Sequence, residues 1–327
     1  MRRTPIDELQ PGTSLSKQPF LLRDKSMTTT RTGALLLRVG LGDRTGSLPG
    51  IMFDAPARLM QDLVVGGGVE VTGRVEEYRD TLQIRMDRIL VTELGDMAEY
   101  LPSAQRPIGE MQRELDALIA SVQQSDLNRL LLAVLGSGGE YRVPFREAPA
   151  AKQMHHACRG GLLQHTLSVA ALVQAAVAAH PELDRDMALA IALLHDLGKC
   201  RAYDPTTFDM TDEGSLWGHL YMSASLTEAA IAQLPGFDRQ VRLTLIHGIL
   251  AHHGSLDHGS PVLPMTAEAM AVHHADAMDA DLQGAAETFG RVDSQAGPYT
   301  GWSAMHETRL YRGVSEASDT YGRGDGQ

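Results

Sequence analysis

A histidine and an aspartate stand side by side at the end of an apolar stretch, in residues 193–199 (LLHDLGK). Imidazole and carboxylate together suit divalent cations such as Mn, Fe, Co and Zn. The doublet His195-Asp196 is therefore the first candidate metal anchor, and Asp196 is also a candidate catalytic residue. Lys199 follows closely and is a second catalytic candidate, because its ammonium can neutralise a phosphate oxygen or the leaving group. The alternative for Lys199, a cationic cap at a helix C-terminus, stays open.

Further imidazoles and carboxylates recur, mostly near the ends of segments with helical periodicity. Each alone is more typical of a surface or core residue than of a ligand. Together they supply donors for one or two metal ions, and Asp196 can bridge a pair. Such a pair activates water at neutral pH and holds phosphate oxygens, which indicates phosphoester hydrolysis. The candidate metal ligands are His165, His195, Asp196, His219, His252, His253 and Asp276.

Helical periodicity dominates the part of the chain that carries these residues. It predicts an all-α domain over residues 108–290, preceded by a linker at 96–107, where two prolines and polar residues follow Gly95. Residues 291–327 are irregular in pattern and predict a C-terminal extension with a disordered tail. Core packing of the extension is expected for Tyr299 and Trp302, and stacking on a 3′ base is the alternative.

The first 95 residues have a different pattern, with short alternating runs separated by glycine-rich turns. Several short strands at this spacing predict a small β-barrel, and the order of turns and strands resembles an OB-fold. The predicted fold class is therefore α+β and multidomain, an N-terminal OB-fold barrel over residues 1–95 followed by the all-α domain.

OB-folds often bind single strands through stacked aromatic side chains and basic grooves. A purely structural or oligomer-forming barrel is the alternative, and both stay open. The net charge of −12 does not decide between them, because residues 1–98 carry 13 basic and 13 acidic residues and the acidic excess lies in the remainder. The candidate nucleic-acid contacts in the barrel are Phe20, Arg23, Lys25, Phe53, Tyr78 and Arg79.

A second basic group precedes His165 and includes Arg142, Lys152, His156 and Arg159. A phosphate backbone can enter there. The alternative is that these residues form a solvated connecting face. The sequence favours neither the phosphate contact nor the solvated face.

Length and composition limit the number of domains and the class of protein. The 327 residues allow two domains, with 43% hydrophobic and 21% charged residues, as in ordinary globular proteins. No apolar run is expected to reach transmembrane length, and the N-terminal arginines precede no apolar core, so a cytoplasmic protein with no membrane partner is expected. With only two cysteines against 13 histidines, a disulfide framework and a Cys-rich zinc finger are excluded.

The ordered set of His165, His195-Asp196, His219, His252-His253 and Asp276 resembles the HD-domain phosphohydrolase superfamily. Residues 152–166 (KQMHHACRGGLLQHT), Gly218-His219, His252-His253-Gly254 and residues 259–262 (GSPV) are similar to the YhaM family of 3′→5′ exoribonucleases. This resemblance implies an OB-fold joined to an HD domain, usually with manganese, acting on single-stranded RNA and also on DNA. Cys158 and Gln164 depart from the family pattern, which concerns substrate handling more than hydrolysis.

Two other functions remain as alternatives. The first is an HD phosphohydrolase for a small nucleotide or cyclic nucleotide. The barrel speaks against it, as does the absence of a GYP signature after His252-His253. The second is a non-catalytic single-strand-binding protein, which the complete ligand set disfavours. A homo-oligomer is compatible with all three functions.

Overall fold

The computed structural model describes residues 3–30, 33–78, 81–96, 99–104, 106–151, 158–291 and 298–313. Arg79, Lys152, His156 and the predicted disordered tail lie outside these residues, and so does most of the stretch that joins the last helix to the last two strands.

The N-terminal part is a closed five-stranded barrel with the strand order β1-β2-β3-β5-β4. Strands β1 and β4 pair antiparallel and close the barrel, whereas β3 and β5 run parallel at Gly50 and Ile84. This topology confirms the predicted OB-fold. The elements are β1 (Ser14–Thr29), β2 (Leu35–Asp43), β3 (Gly46–Phe53), the short α1 (Leu59–Asp62), β4 (Gly68–Tyr78) and β5 (Thr81–Thr92), after a 3₁₀ turn at Ile6–Glu8.

Alternation along the strands builds the barrel core. Leu37, Val39 and Leu41 on β2 all point inward and are fully or almost fully buried. Phe20 on β1 belongs to the same core and is 0% exposed, so its ring is not available to stack on a base. Position 50 of β3 has no room for a side chain, because a Cβ atom there would lie 2.9 Å from Val39 Cγ2.

Ten helices follow in the described part of the chain, as the periodicity predicts. They are α2 (Ile108–Ser121), α3 (Ser125–Leu135), α4 (Arg142–Glu147), α5 (Gly161–Ala179), α6 (Arg185–Leu194), α7 (Lys199–Ala202), α8 (Asp212–Trp217), α9 (His219–Ala232), α10 (Arg239–Ala251) and α11 (Ala267–Arg291). Helix α6 lies at the centre, where it packs against α5, α10 and α11, and every residue from 187 to 194 is buried. The site described below lies at the C-terminal end of this helix.

Helix α5 is long and apolar enough to cross a membrane by length and composition alone. The expectation that no apolar run has this length was therefore wrong. In the structure the buried side of α5 contributes to the helical core with Leu163, Leu167 and Val173, which accounts for its apolar composition. The helix also carries His165.

A small apolar joint connects the barrel to the helical part. Leu21 of β1 packs with Tyr100, Leu101 and Phe208, and all four side chains are at most 5% exposed. Tyr100 and Leu101 lie in the predicted linker, so the linker is packed at these two residues.

The C-terminal segment forms an antiparallel pair of strands, β6 (Tyr299–Ser303) and β7 (Thr308–Tyr311). The expected irregular structure was therefore wrong for these residues. Thr300 and Ser303 are the buried side chains of β6, so Tyr299 and Trp302 point outward and are 56% and 69% exposed instead of packed. The short strands gave too weak an alternation to be recognised.

Candidate metal centre and nucleic-acid interface

The seven predicted ligands meet in one cluster, because the helices that carry them converge at the end of α6. His165 lies in the first turns of α5, and His195-Asp196 directly follow α6. His219 begins α9, after Gly218 with φ +75°. The remaining three ligands are His252 and His253, which follow α10, and Asp276 in the middle of α11.

Three of these residues form a deep triad. His165 Nε2 lies 3.3 Å from His195 Nε2 and 3.1 Å from Asp276 Oδ1. The distance from His195 Nε2 to Asp276 Oδ1 is 3.8 Å. The side chains of His165 and His195 are 3% and 0% exposed, whereas Asp276 is 19% exposed.

A second triad, formed by His219, His252 and His253, lies nearer to solvent. Each residue offers one ligand atom, and these atoms lie within 4.8 Å of one another. His219 Nε2 and His253 Nε2 are 3.2 Å apart. The His219 side chain is 18% exposed and Asp276 of the deep triad is 19% exposed, so a ligand can approach the cluster at both residues.

Asp196 lies between the two triads. Its Oδ2 faces the deep triad, 3.4 Å from His165 Nε2 and 3.3 Å from His195 Nε2. Its Oδ1 faces the outer triad, 3.4 Å from His219 Nε2 and 3.7 Å from His252 Nε2. One carboxylate thus touches both groups, which is the arrangement that a residue bridging two metal ions requires.

Most of the histidines are fixed by a hydrogen bond from the ring nitrogen that points away from the cluster. His195 Nδ1 donates to Ala192 O at 2.8 Å, and His252 Nδ1 donates to Ile249 O at 2.7 Å. His253 Nδ1 donates to the carbonyl of residue 258 at 2.8 Å. Since a carbonyl oxygen only accepts, the proton is on Nδ1 and the Nε2 lone pair points into the cluster, as in metal-ligating histidines.

The donor atoms fit a metal ion. Ligands about 2.1 Å from a metal, at angles between octahedral and tetrahedral, lie about 3.0–3.4 Å apart, which most of the short distances above match. Moreover, Asp196 Oδ1 and His252 Nε2 are buried and have no hydrogen-bond partner among the described residues. An unsatisfied buried polar atom costs about 1–3 kcal/mol, and a bound cation would satisfy both.

The electrostatics favour positive charge within the cluster. Burial would lower the pKa of His165, but hydrogen bonds with Asp196, Asp276 and Asp279 hold it well above its usual value. Burial would raise the pKa of Asp196, but Lys199 and the neighbouring histidines keep it well below its usual range. A carboxylate field that stabilises a proton on an imidazole also stabilises a cation.

Two of the outer histidines, His219 and His252, favour the neutral form. Burial lowers the pKa of His219 to about 3, with Lys199 acting in the same direction and Asp196 opposing it. Burial also holds the pKa of His252 well below its usual value. Neutral imidazoles are the form that binds metal.

Lys199 reaches into the site. Its Nζ lies 2.6 Å from Asp196 Oδ2, and its side chain is 12% exposed. Lys199 begins α7 and does not end the preceding helix, so the geometry does not support the alternative of a C-terminal cap.

Asp279 was missed in the sequence analysis. Its Oδ2 accepts a hydrogen bond from His165 Nδ1 at 2.7 Å, and its side chain is 12% exposed. It lies one turn after Asp276 on α11, so the two carboxylates share a helix face. This spacing of three residues was the available signal, but an acidic pair on a helix is usually a solvated face.

The predicted barrel contacts have different environments. The guanidinium of Arg23 lies 5.5 Å from the Phe208 ring, and burial lowers the pKa of Arg23. Lys25 Nζ donates to Met60 O at 2.7 Å and also to Leu63 O, so it holds the end of α1. Phe53 and Tyr78 are 49% and 56% exposed.

The described members of the second basic group are held in ion pairs. Arg142 binds both oxygens of Asp116, at 2.6 and 2.9 Å, and thereby connects α4 to α2. Arg159 pairs with Glu147. Within the described residues, the solvated connecting face therefore fits these two arginines better than a phosphate entry.

Comparisons with known proteins agree with this arrangement. Residues 162–281 match the HD domain family. The 3′-5′ exoribonuclease YhaM of Bacillus velezensis is 30% identical over 269 residues, covering 81% of this chain and 84% of the relative. The YhaM of a Geobacillus species is 29% identical over 267 residues, covering 80% and 81%.

A solved structure aligns with part of the chain. The second OB-fold domain of replication protein A from Methanococcus maripaludis is 25% identical, with a TM-score of 0.24, and covers 29% of this chain and 98% of that domain. The barrel assignment rests on the strand order and closure described above. With an HD domain, an OB-fold barrel and this identity over more than four fifths of the Bacillus relative, the chain belongs to the YhaM family.

Proposed function

We propose that this protein is a metal-dependent 3′→5′ exoribonuclease that hydrolyses phosphodiester bonds of single-stranded RNA. The observation that carries the proposal is the pair of triads joined by Asp196, in a chain where an OB-fold barrel precedes the HD domain. The family's activity supplies the direction of cleavage and the substrate. Single-stranded DNA is a second substrate of the same chemistry.

A divalent metal is the cofactor. We propose two ions, one held by His165, His195 and Asp276 and one by His219, His252 and His253, with Asp196 shared between them. Manganese is the proposed physiological metal, and Fe, Co and Zn suit the same donors. When bound, such ions lower the pKa of a coordinated water and neutralise charge on phosphoryl oxygens.

Residues of this chain orient the metal ligands and supply a positive charge for the phosphate. The Nδ1 hydrogen bonds of His195, His252 and His253 hold three imidazoles in place before any substrate arrives. Lys199, whose Nζ is 2.6 Å from Asp196, is the cation available to a phosphate oxygen or to the departing 3′ group. Asp279 keeps His165 in the orientation in which Nε2 faces the cluster.

One cleft is a candidate path for a single strand along the barrel. A cleft of about 950 Å³ lies between barrel strands β1–β3 and the loop after α7. Arg23 and Arg38 line its barrel side, and Thr207 and Phe208 line the opposite side. Asp24, Asp43 and Asp209 also line the cleft, so a strand there would contact the two guanidinium groups singly and would not meet a net positive surface. Arg38 was not among the residues predicted from sequence.

We retain a cytoplasmic location as a prediction.

The test uses a 5′-labelled single-stranded RNA with purified protein and manganese. A ladder descending from the 3′ end is expected from the native protein, and none from the double variant His195→Ala/Asp196→Ala. His180→Ala and Asp281→Asn are matched controls, because both residues belong to the helical part but lie outside the cluster, and they should cleave normally. Intact RNA with the native protein would refute the proposal and favour a small nucleotide substrate or binding alone.

A further inference from the structure

A second cavity lies beside the metal centre and has no role so far. It has a volume of about 700 Å³ and is formed by α7, α8, α9 and the loop after α7. Binding pockets for small organic ligands have volumes of about 300–1,000 Å³. Cys200 lines this cavity next to Lys199, and Trp217 lines it two residues before His219. The cavity and the outer triad therefore share helix α9, which begins at His219.

Two exposed aromatic rings form one wall. Trp217 and Tyr221 are 59% and 58% exposed, and their ring centroids are 6.4 Å apart at an interplanar angle of 80°. Trp217 ends α8 and Tyr221 lies in the first turn of α9, on either side of Gly218. The floor is apolar, formed by Met222 and Leu226, which are 4% and 9% exposed. Flat apolar surface next to a second ring is what a planar heterocycle needs to stack.

The polar groups at the rim fit a neutral ligand better than a phosphate. Arg201 is the cation there, and its Nη2 donates to Tyr141 Oη at 3.0 Å. Asp204 and Glu213 place two carboxylates on the same rim. A phosphate would meet more negative than positive charge, whereas the edge of a nucleobase offers donors to the carboxylates and acceptors to the guanidinium.

The position relative to the metal ligands fits a substrate base. The Cα atoms of Trp217 and His219 are at most about 7.6 Å apart, since consecutive Cα atoms are separated by 3.8 Å. His219 belongs to the outer triad, and its side chain is 18% exposed. A strand whose terminal phosphodiester lies at the cluster therefore has a base within reach of this cavity.

We propose that the Trp217–Tyr221 cavity is a nucleobase subsite that stacks a base near the 3′ end of the substrate strand. The inference rests on the proposed exoribonuclease function and adds the residues that hold the end of the strand. It makes Trp217 and Tyr221 binding residues, and it separates base recognition from the phosphate contacts of the metal cluster.

The first experiment needs no hydrolysis. The chain contains two tryptophans, so Trp302→Phe leaves Trp217 as the single reporter. In the presence of a chelator, an oligoadenylate hexamer should quench Trp217 fluorescence, and an abasic hexamer with the same phosphates should not. Equal quenching by both hexamers, or quenching by neither, would overturn the proposal.

The second experiment measures steady-state cleavage of the oligoadenylate hexamer. Stacking of one base predicts that Trp217→Ala and Tyr221→Ala each raise KM about fivefold to hundredfold, with a smaller effect on kcat. Leu216→Ala is the matched control, because this neighbour is 80% exposed but does not line the cavity, and its KM should equal the native value. A KM within twofold of native for both aromatic variants would overturn the subsite.

The two experiments distinguish a failure of the proposed function from a failure of the nucleobase subsite. If the native protein cleaves no RNA, the proposed function fails, and the fluorescence titration still decides whether the cavity takes a base. If RNA is cleaved normally by both aromatic variants, the function stands and the subsite is wrong. A change in sedimentation mass with unchanged KM would identify the aromatic surface as a protein interface, which also overturns the proposal.

Discussion

Asp279 offers a sharp test of the idea that the protein orients its metal ligands through a second layer of side chains. Its carboxylate accepts a hydrogen bond from His165 Nδ1 at 2.7 Å in a nearly buried position. Hydrogen bonds to charged groups contribute about 1.5–3 kcal/mol, and 1.4 kcal/mol corresponds to a factor of ten. Asp279→Ala should therefore weaken metal binding about 10-fold to 100-fold, in the range known for outer partners of ligating histidines.

Asp279→Asn separates charge from shape, because the amide keeps an oxygen acceptor near His165 and loses the negative charge. It should weaken binding less than Asp279→Ala. Metal affinity is measured by titrating manganese against a chelating dye, with Asp281→Asn as a control on the exposed side of the same helix. If Asp279→Ala binds manganese within twofold of the native protein, His165 is held by other contacts and the reasoning is refuted.

Two further predictions concern stability. A Cβ atom on Gly198 would lie 2.4 Å from His219 O, so Gly198→Ala must push α7 away from α9 and should lower the free energy of unfolding by about 1–3 kcal/mol in urea titrations. Gly95→Ala, with nothing within 4 Å, should change it by less than about 0.5 kcal/mol, and equal losses would contradict the packing argument. Burial would raise the pKa of Glu147, but hydrogen bonds from Arg159 and a neighbouring arginine lower it below the ordinary value of 4.5. The folded state thus favours the carboxylate, and Glu147→Gln should lower the free energy of unfolding by about 1 kcal/mol at neutral pH. The difference from the native protein should shrink as the pH falls below about 4.5, because the native carboxylate is then protonated. A difference that stays constant with pH would refute this assignment.

The sequence predicted the barrel and the cluster because both have regular signals. Strand alternation and glycine turns indicated the OB-fold, and helical periodicity put every candidate ligand near a helix end or on a helix face. Which ligands form which triad was not predictable, since it depends on how α5, α6, α9, α10 and α11 pack. The bridging position of Asp196 was suggested by chemistry alone, and the distances of both its oxygens now support it.

Other features depend on contacts that no local pattern contains. Phe20 and Phe53 look alike in sequence, but strand register buries the first and leaves the second 49% exposed at the end of β3. Arg142 looked like a free cation, and its partner Asp116 lies 26 residues away on another helix. The role of Asp279 follows from its contact with His165, which lies 114 residues earlier in the chain.

The carbonyl partners of His195 and His252 have a consequence for how the protein acquires its metal. Each ring is tied to the carbonyl three residues earlier, Ala192 or Ile249, so its orientation is fixed as soon as the helix end has formed. The entropy of ordering these ligands is lost during folding and not when the ion arrives. We therefore expect this protein to keep its fold after chelation and to reload in a single association step, unlike a zinc finger, whose chain becomes ordered only around its ion.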